Sequence, residues 1–147
     1  MLGIFISPDG TGYDLARNAT TGHLETDASL RTTVLCLLFT EGRLNPEDVQ
    51  TGEPRGGWWG NSYPDVQGWE IGGRLYFVAT GKATAVTIQL IEEAIRKQLQ
   101  CLIDDGIVES LAVEIGRRGQ DGWNCALGLK RRDSQVSQWI DFWVNSL

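Results

Sequence analysis

The stretch Arg55-Gly56-Gly57-Trp58-Trp59-Gly60-Asn61 places large rigid aromatic residues beside residues that have no side chain. Gly68-Trp69 repeats the pairing, and Ile71-Gly72-Gly73-Arg74-Leu75-Tyr76 closes the region. Three of the six tryptophans of the chain lie between Gly56 and Gly73. This composition predicts close backbone approach and a packed corner rather than a flexible linker. No known reaction requires the pattern Gly-Trp-Trp-Gly, so the region favours a structural or contact role.

The overall composition is that of an ordinary globular protein. The 147 residues are 41% apolar and 22% charged, which predicts a real core and one domain over residues 1–147. The net charge of −6 argues against binding to a nucleic acid backbone. The basic runs Arg117-Arg118 and Lys130-Arg131-Arg132 flank a predicted hairpin and are expected to be solvated. No apolar run reaches the ~18 residues of a membrane span, and the N-terminus lacks the basic lead-in of a signal peptide. We therefore expect neither nucleic acid nor membrane as a partner.

Residues that could carry chemistry are scattered along the chain. Cys36, Cys101 and Cys125 lie far apart in apolar patterns, which predicts buried free thiols in a reducing cytoplasm. His23 stands alone in a loop, and no cysteine pair has zinc spacing. The serines form no nucleophile elbow, and adjacent acids such as Asp104-Asp105 are expected to be solvated. The sequence thus predicts no catalytic residue, no cofactor and no metal.

The first half of the chain predicts a hairpin, a helix and a long loop. A short hairpin over about residues 3–16 turns at Pro8-Asp9-Gly10. Asp27 is a candidate cap for a helix over about residues 28–40, whose broad apolar surface predicts burial on more than one side. The loop over residues 43–76 is rich in proline and contains the tryptophan-rich region.

The second half predicts a long helix and a hairpin. Thr84 caps a helix over about residues 85–104, whose apolar stripe repeats at helical spacing. Alternating apolar residues then predict an antiparallel hairpin within residues 108–131. The segment 74–79 fits a strand or a helical turn. The last segment, to residue 144, fits either element, and its periodicity alone favours a helix.

Two motifs that follow one another along the chain resemble those of a known protein family. Gly57-Trp58-Trp59-Gly60 is the more recognisable, Ile71–Leu75 is the second, and residues 30–46 match a first helix with its following loop. The chain resembles the small baseplate wedge protein family of Mu-like contractile-tail phages. That family is similar to the sheath-initiating wedge protein of T4-like phages and to its type VI secretion counterpart. The resemblance covers the chain from about Leu24 onward and, more loosely, the N-terminal hairpin.

The chain also departs from the family pattern. Asn61 stands where the family usually has an acid, Gly73 where it usually has serine, and Tyr76 where it has tryptophan. A neutral hydrogen bond between Asn61 and Arg74 would replace an ion pair at lower strength. Glu53-Pro54-Arg55 matches a tripeptide of the T4-like and type VI relatives. There it follows the long helix, so its role is not transferred.

The expected fold is α+β, with two main helices packed on a small antiparallel sheet and a long Trp/Gly-rich loop. The resemblance favours a third strand for the C-terminal segment, against its helical periodicity.

The expected site consists of loop residues that brace the loop or contact a partner. They are Gly57, Trp58, Trp59, Gly60, Asn61, Trp69, Arg74 and Tyr76. In an extended segment the rings of Trp58 and Trp59 point opposite ways, so one can be buried while the other faces a partner. The alternative is that both rings pack internally. The five donors of Arg74 favour binding to loop carbonyls over contact with a partner.

The resemblance implies a structural, non-enzymatic subunit of a contractile tail baseplate. Its partners would be larger baseplate wedge proteins, hub or tube-proximal proteins and the first ring of the tail sheath. Strand addition at a sheet edge is one expected contact. Several copies, set by tail symmetry, would lie in the virion after assembly in the host cytoplasm. Two alternatives stay open: a lysozyme-like cell-wall hydrolase of the tail, and a free-standing bacterial binding module of the same fold.

Overall fold

The computed structural model of the chain divides into two compact units, Met1–Cys36 and Leu37–Leu147. The residues that it describes are 4–6, 13–25, 29–49, 52, 54–64, 67, 70–79, 84–119 and 122–145. The predicted turn Pro8-Asp9-Gly10 and the predicted cap Asp27 lie outside these residues, as do Gly68 and Trp69.

The first unit begins with a hairpin. Strand β1 (Ile4–Ile6) pairs antiparallel with β2 (Tyr13–Leu15), within the range that the sequence predicts. The loop after β2 is held by Asn18, whose Oδ1 accepts hydrogen bonds from the N–H groups of Thr20 and Thr21, both at 2.9 Å. A short polar side chain that binds the backbone just after it favours a turn over a continued strand.

Helix α1 (Arg31–Phe39) carries the chain from the first unit into the second. At its start the Ser29 Oγ accepts the N–H of Arg31 at 3.1 Å. Its apolar side chains are buried around most of the circumference, as the broad apolar surface predicts. The buried apolar residues of the helix and its first turn are Leu30, Val34, Leu35, Leu37 and Leu38. At its last turn the Phe39 ring meets that of Phe142 edge-on, with centroids 5.5 Å apart.

Two further helices belong to the second unit. Helix α2 (Leu75–Ala79) contains the buried Leu75 and contacts α3 (Ala85–Asp104). Thr84 caps α3: its Oγ1 accepts the N–H of Thr87 at 3.2 Å, and the Thr87 Oγ1 accepts the N–H of Thr84 at 3.5 Å. Threonine thus takes the place that Glu or Gln usually holds in a capping box. The buried stripe of α3 is Ile91, Ile95, Leu99 and Leu102.

The sheet of the second unit is formed by strands β3 (Val108–Arg117), β4 (Gly122–Arg131) and β5 (Ser137–Asn145). The strands are antiparallel and lie in the order β3-β4-β5. One face is buried, and helix α3 contacts β3. The fully buried side chains on that face of the two later strands are Trp123, Cys125, Leu127, Leu129, Ile140 and Phe142. Together with the α3 stripe they form the core of this unit, and the predicted α+β fold is confirmed.

The C-terminal segment is a strand, although its periodicity alone favours a helix. In β5 the buried Ile140 and Phe142 lie opposite Leu127 and Cys125 of β4. A helix would have placed Trp139 on the same buried stripe as Ile140, whereas the strand leaves it half exposed. The β-branched and aromatic residues of this segment suit the pleated, half-buried surface that β4 offers.

No helix in the described part of the chain is both long and apolar enough to cross a membrane.

Candidate interaction site

The tryptophan-rich region is attached to a segment that the sequence does not single out. Residues 40–44, here the central segment, follow α1 directly. The N–H of Trp58 donates to the carbonyl of Glu41, and the N–H of Leu44 donates to the carbonyl of Arg55, both at 2.9 Å. The Arg55 side chain strengthens this pairing, since its Nε donates to the Leu44 carbonyl at 2.6 Å. Residues 55–58 therefore run antiparallel to the central segment.

The second motif lies on the other side of the central segment. The N–H of Gly42 donates to the carbonyl of Gly73 at 2.9 Å, and the N–H of Gly73 donates to the carbonyl of Thr40 at 3.1 Å. These bonds form a parallel bridge between Glu41 and Gly73. The three segments, 40–44, 55–61 and 71–74, are here called the junction. Their backbone bonds replace the loop that the sequence predicts with a small ordered scaffold.

Two glycines of the junction are required by its geometry. Gly57 and Gly72 both have φ of +103°, a region that residues with a side chain rarely adopt. A Cβ on Gly72 would lie 2.8 Å from the carbonyl oxygen of Glu41, and one on Gly57 would lie 3.1 Å from the Arg43 Cβ. The glycines thus permit the close backbone approach that the composition predicts.

Helix α3 reaches the junction through Gln98. Its carboxamide occupies the space beside Gly73 where a Cβ would lie. With its oxygen toward the junction, it accepts the N–H of Gly73 at 2.9 Å and donates to the Ala94 carbonyl at 3.3 Å. The opposite orientation offers only 3.4 and 3.5 Å contacts to the carbonyls of Leu37 and Leu38, so we assign the first. Gly73, which stands in place of the serine of the family pattern, leaves room for this glutamine.

Asn61 joins the two motifs directly. Its Nδ2 donates to the Ile71 carbonyl at 2.8 Å, and its Oδ1 accepts the Ile71 N–H at 2.9 Å. The sequence suggests a neutral hydrogen bond between Asn61 and Arg74, but these two bonds go to the backbone of Ile71. A carboxamide has both N–H donors and an acceptor oxygen, so it can bind both backbone groups of a single residue.

The two neighbouring tryptophans both face outward. Trp58 is extended, with φ −69° and ψ 127°, and Trp59 begins a 3-10 helix, Trp59–Ser62. Because the chain turns there, the rings do not point opposite ways. Their centroids are 5.8 Å apart at 50°. The Trp58 ring lies against Gly60, where a Cβ would overlap it. Trp58 is 41% exposed and Trp59 75%, so the predictions that one or both rings are internal are wrong.

Arg74 lies at the end of the junction, where α2 begins. It is half-buried, and its guanidinium carbon lies 5.5 Å from the centroid of the Phe77 ring. That Arg74 braces the loop stays a prediction. Tyr76 belongs to α2, but its side chain lies outside the described part of the structure, as does the whole of Trp69.

The thiols differ in their surroundings. Burial raises the pKa of the Cys125 thiol to about 12, and it is also the main cause of a raised pKa at Cys101. Both thiols are therefore protonated and unreactive near neutral pH. The prediction that all three are buried is wrong for Cys36, which is exposed because it points away from the buried side of α1. Among the described residues no group of three or more His, Cys, Asp or Glu could hold a metal ion.

The basic runs beside the hairpin make local contacts. The Arg118 guanidinium carbon lies 4.6 Å from the centroid of the Trp143 ring. Lys130 pairs with Glu109 at 2.7 Å, and their hydrogen bond holds the pKa of the Glu109 carboxyl below its ordinary value. Arg131 pairs with Asp133 at 3.0 Å. These contacts agree with the interpretation as a solvated edge.

Comparison with known proteins places the whole junction inside a matched region. The profile of a family described as "Phage protein GP46" matches residues 30–136. Baseplate protein gp46 of Escherichia phage Mu is 36% identical over 100 residues, which are 67% of this chain and 66% of that protein. The Mu-like prophage FluMu protein gp46 of Haemophilus influenzae is 31% identical over 87 residues, 59% of this chain and 57% of that protein. The chain thus matches somewhat less than two thirds of the length of either relative. The resemblance to Mu-like phage proteins, inferred from the two motifs, is confirmed: the chain belongs to the GP46 family of phage proteins.

Proposed function

We propose that this chain is a structural subunit of the baseplate of a contractile phage tail. It would act as a wedge protein that joins hub-proximal proteins, larger wedge proteins and the first ring of the sheath. The observation that carries the proposal is membership in a family whose phage Mu member is named a baseplate protein. On this proposal the protein is assembled in the host cytoplasm, lies in the virion tail and is present in several copies set by tail symmetry.

The junction supports a contact role, because it holds large aromatic side chains outward on a fixed backbone. Trp59 is 75% exposed, and Tyr63, just after the 3-10 helix, is 82% exposed. Tryptophan and tyrosine supply much apolar contact area at a small loss of conformational freedom, and they are enriched among the residues that dominate binding. A scaffold of backbone hydrogen bonds lowers the entropy lost when they bind. We infer that Trp58, Trp59 and Tyr63 form the contact surface toward a neighbouring baseplate subunit.

The sheet offers a second contact, by strand addition. Strand β3 is poorly suited to it, because its register shifts between Val108 and Ser110 and because the Arg96 Nη1 donates to the Leu111 carbonyl at 3.3 Å. Strand β5 pairs regularly with β4 from Ser137 to Asn145, and no other described strand pairs with it. We infer that β5 is the edge that accepts a strand of a partner such as the sheath.

Deletion and complementation in the phage or prophage that encodes the chain test the proposal. Loss of the chain should abolish complete tails, and a tagged copy should restore them and label the baseplate in electron micrographs. Trp59→Ala should reduce incorporation into tails while leaving the melting temperature unchanged. Val86→Ala is a matched control, because Val86 is also exposed, at 62%, but lies on the first turn of α3, outside both proposed contacts.

Three outcomes would count against this proposal. Normal tails without the chain would point to a free-standing binding module. A lytic band from the purified protein in a peptidoglycan zymogram would point to a hydrolase. If Trp58→Ala and Trp59→Ala lower only the melting temperature and leave assembly intact, the aromatic contact surface is wrong.

A further inference from the structure

The second face of the sheet, opposite the core, has a distinct composition. By register its residues form rows across the three strands: Ala112, Gly128 and Trp139; then Glu114, Ala126 and Asp141; then Gly116, Asn124 and Trp143. We call this surface the outer face. In these three rows the middle strand has only small or short side chains, while the edges carry the large and charged ones. The next row, Ser110, Lys130 and Ser137, brings Lys130 onto the same face, where its ammonium pairs with Glu109. Trp139, at one edge, is 51% exposed.

Trp139 lies inward across the sheet. A Cβ on Gly128 would lie 3.0 to 3.3 Å from three atoms of the Trp139 ring. The ring therefore rests on the backbone of β4, and Gly128 is buried beneath it. This places a broad aromatic surface in the middle of the outer face, held by the glycine below it.

Two carboxylates lie beside this ring. Glu114 and Asp141 are exposed, on opposite sides of Ala126 in the next row of the sheet. With strands ~4.8 Å apart, the two backbones are separated by about 10 Å, and only a methyl group lies between them. A cationic side chain seated over Ala126 could reach both carboxylates, with its aliphatic part on Trp139.

The other tryptophan of the face shows the same chemistry within the chain. The guanidinium of Arg118 lies over the Trp143 ring, 4.6 Å from its centroid. Among the described residues no corresponding cation lies over Trp139. The outer face thus pairs one aromatic ring that already contacts a cation with a second ring that is open to one from outside.

We propose that the outer face docks an α-helix of a neighbouring baseplate subunit, and that this helix carries a lysine or arginine in the middle of its apolar side. The inference rests on the proposed baseplate function. The basic residue binds between Glu114 and Asp141, and the apolar side packs on Trp139. The distance of about 10 Å between the outer strands matches the 10–12 Å diameter of one helix. A sheet ordinarily covers an open face with helices, whereas an added strand pairs at its edge.

Photo-crosslinking in assembled tails tests the docking. With p-benzoylphenylalanine at position 139, tails are purified, irradiated and digested, and the crosslinked peptide is identified by mass spectrometry. We expect a peptide from another baseplate subunit, with apolar residues at helical spacing and one lysine or arginine among them. A crosslink to a second copy of this chain, or to a segment without a basic residue, would overturn the proposal.

Charge reversal supplies a second measurement. Asp141→Lys and Glu114→Lys, made separately with the crosslinker at position 112, should each lower the crosslink yield about tenfold, since close opposite charges at an interface contribute to binding. Glu93→Lys, an exposed acid on α3, is the control and should leave the yield unchanged. Unchanged yields in both strand variants would overturn the role of the carboxylates.

The baseplate function and the docking face are separately testable. If tails form normally without this chain, the baseplate function itself is wrong. If the chain is present in the baseplate and position 139 gives no crosslink, the docking face alone is wrong.

Discussion

Replacing Asn61 with alanine removes both hydrogen bonds that tie the two motifs of the junction together. The Ile71 N–H and carbonyl, now bonded at 2.9 and 2.8 Å, would lose their partner in a half-buried place. A typical hydrogen bond contributes about 1 kcal/mol net, and a buried polar group left without a partner costs about 1–3 kcal/mol. Because water can reach part of this site, we expect a loss of about 2 kcal/mol in the free energy of unfolding.

Urea denaturation followed by tryptophan fluorescence measures this loss. Ser62→Ala is the matched control, because Ser62 is the next residue of the same 3-10 helix and is exposed. We expect the control to stay within about 0.5 kcal/mol of the unmodified protein. A difference of less than that between Asn61→Ala and Ser62→Ala would refute the view that Asn61 holds the motifs together.

Asn61→Asp adds a test by pH. An aspartate still accepts the Ile71 N–H, but when ionised it faces the Ile71 carbonyl with no proton to donate. Folding therefore favours the protonated acid and raises its pKa above the ordinary value of about 3.9. The variant should approach the stability of the unmodified protein below about pH 4 and fall behind it as the pH rises. A constant difference between pH 3 and pH 7 would contradict this account.

Three further predictions concern single residues. Gly60→Ala should displace the Trp58 ring and change its fluorescence. It should also lower the free energy of unfolding by more than the control Gly116→Ala does, since a Cβ at Gly116 meets nothing within 4 Å. Equal effects on stability would show that the ring does not rest on Gly60. Burial raises the pKa of Cys125 to about 12, so between about pH 9 and pH 12 its thiol ionises only in the unfolded protein. The free energy of unfolding should therefore fall by up to about 1.4 kcal/mol per pH unit in this range. If a Cys125→Ala variant loses stability with the same pH profile, ionisation of Cys125 is not the reason for the loss. Arg74→Lys should lower the melting temperature by more than an arginine-to-lysine change at an exposed strand end does, because lysine lacks the five-donor fork of arginine. If the two changes lower the melting temperature equally, Arg74 does not brace the loop.

Local patterns predict the second half of the fold well. The stripe of α3, its threonine cap and the alternation of β3 and β4 are all signals between near neighbours in sequence. The C-terminal segment is harder, because its periodicity alone favours a helix, with Trp139 and Ile140 on one stripe, although the alternation of Ile140, Phe142 and Val144 also fits a strand. Only the pairing partners in β4 decide between them, and that choice depends on tertiary structure.

The junction is predicted only in part. The glycines and tryptophans mark two of its segments, but the central segment carries no periodicity, and its bonds to Gly73 are formed by backbone atoms that every residue has. Gly42 is the one available signal, since a Cβ there would lie 2.7 Å from the Gly73 nitrogen. The sequence also does not predict the orientation of the Trp58 and Trp59 rings, because this orientation depends on a 3-10 turn that begins at Trp59. A pattern of glycine and tryptophan predicts close packing, but it does not identify the partner segment.

The link between Asn61 and Ile71 also has a practical consequence for labelling the protein. Asn61 and Ile71, which bound this segment, are held at hydrogen-bond distance. The entropic cost of closing a longer segment between them rises by only about 0.6 kcal/mol for each doubling of its length. An epitope inserted after the exposed Gln67 should therefore leave the melting temperature within a few degrees of the original. The same epitope placed between Gly42 and Arg43 would interrupt the pairing of the central segment and should unfold the region. This gives a defined position at which the subunit can carry a visible tag without loss of the hydrogen bonds that build the junction.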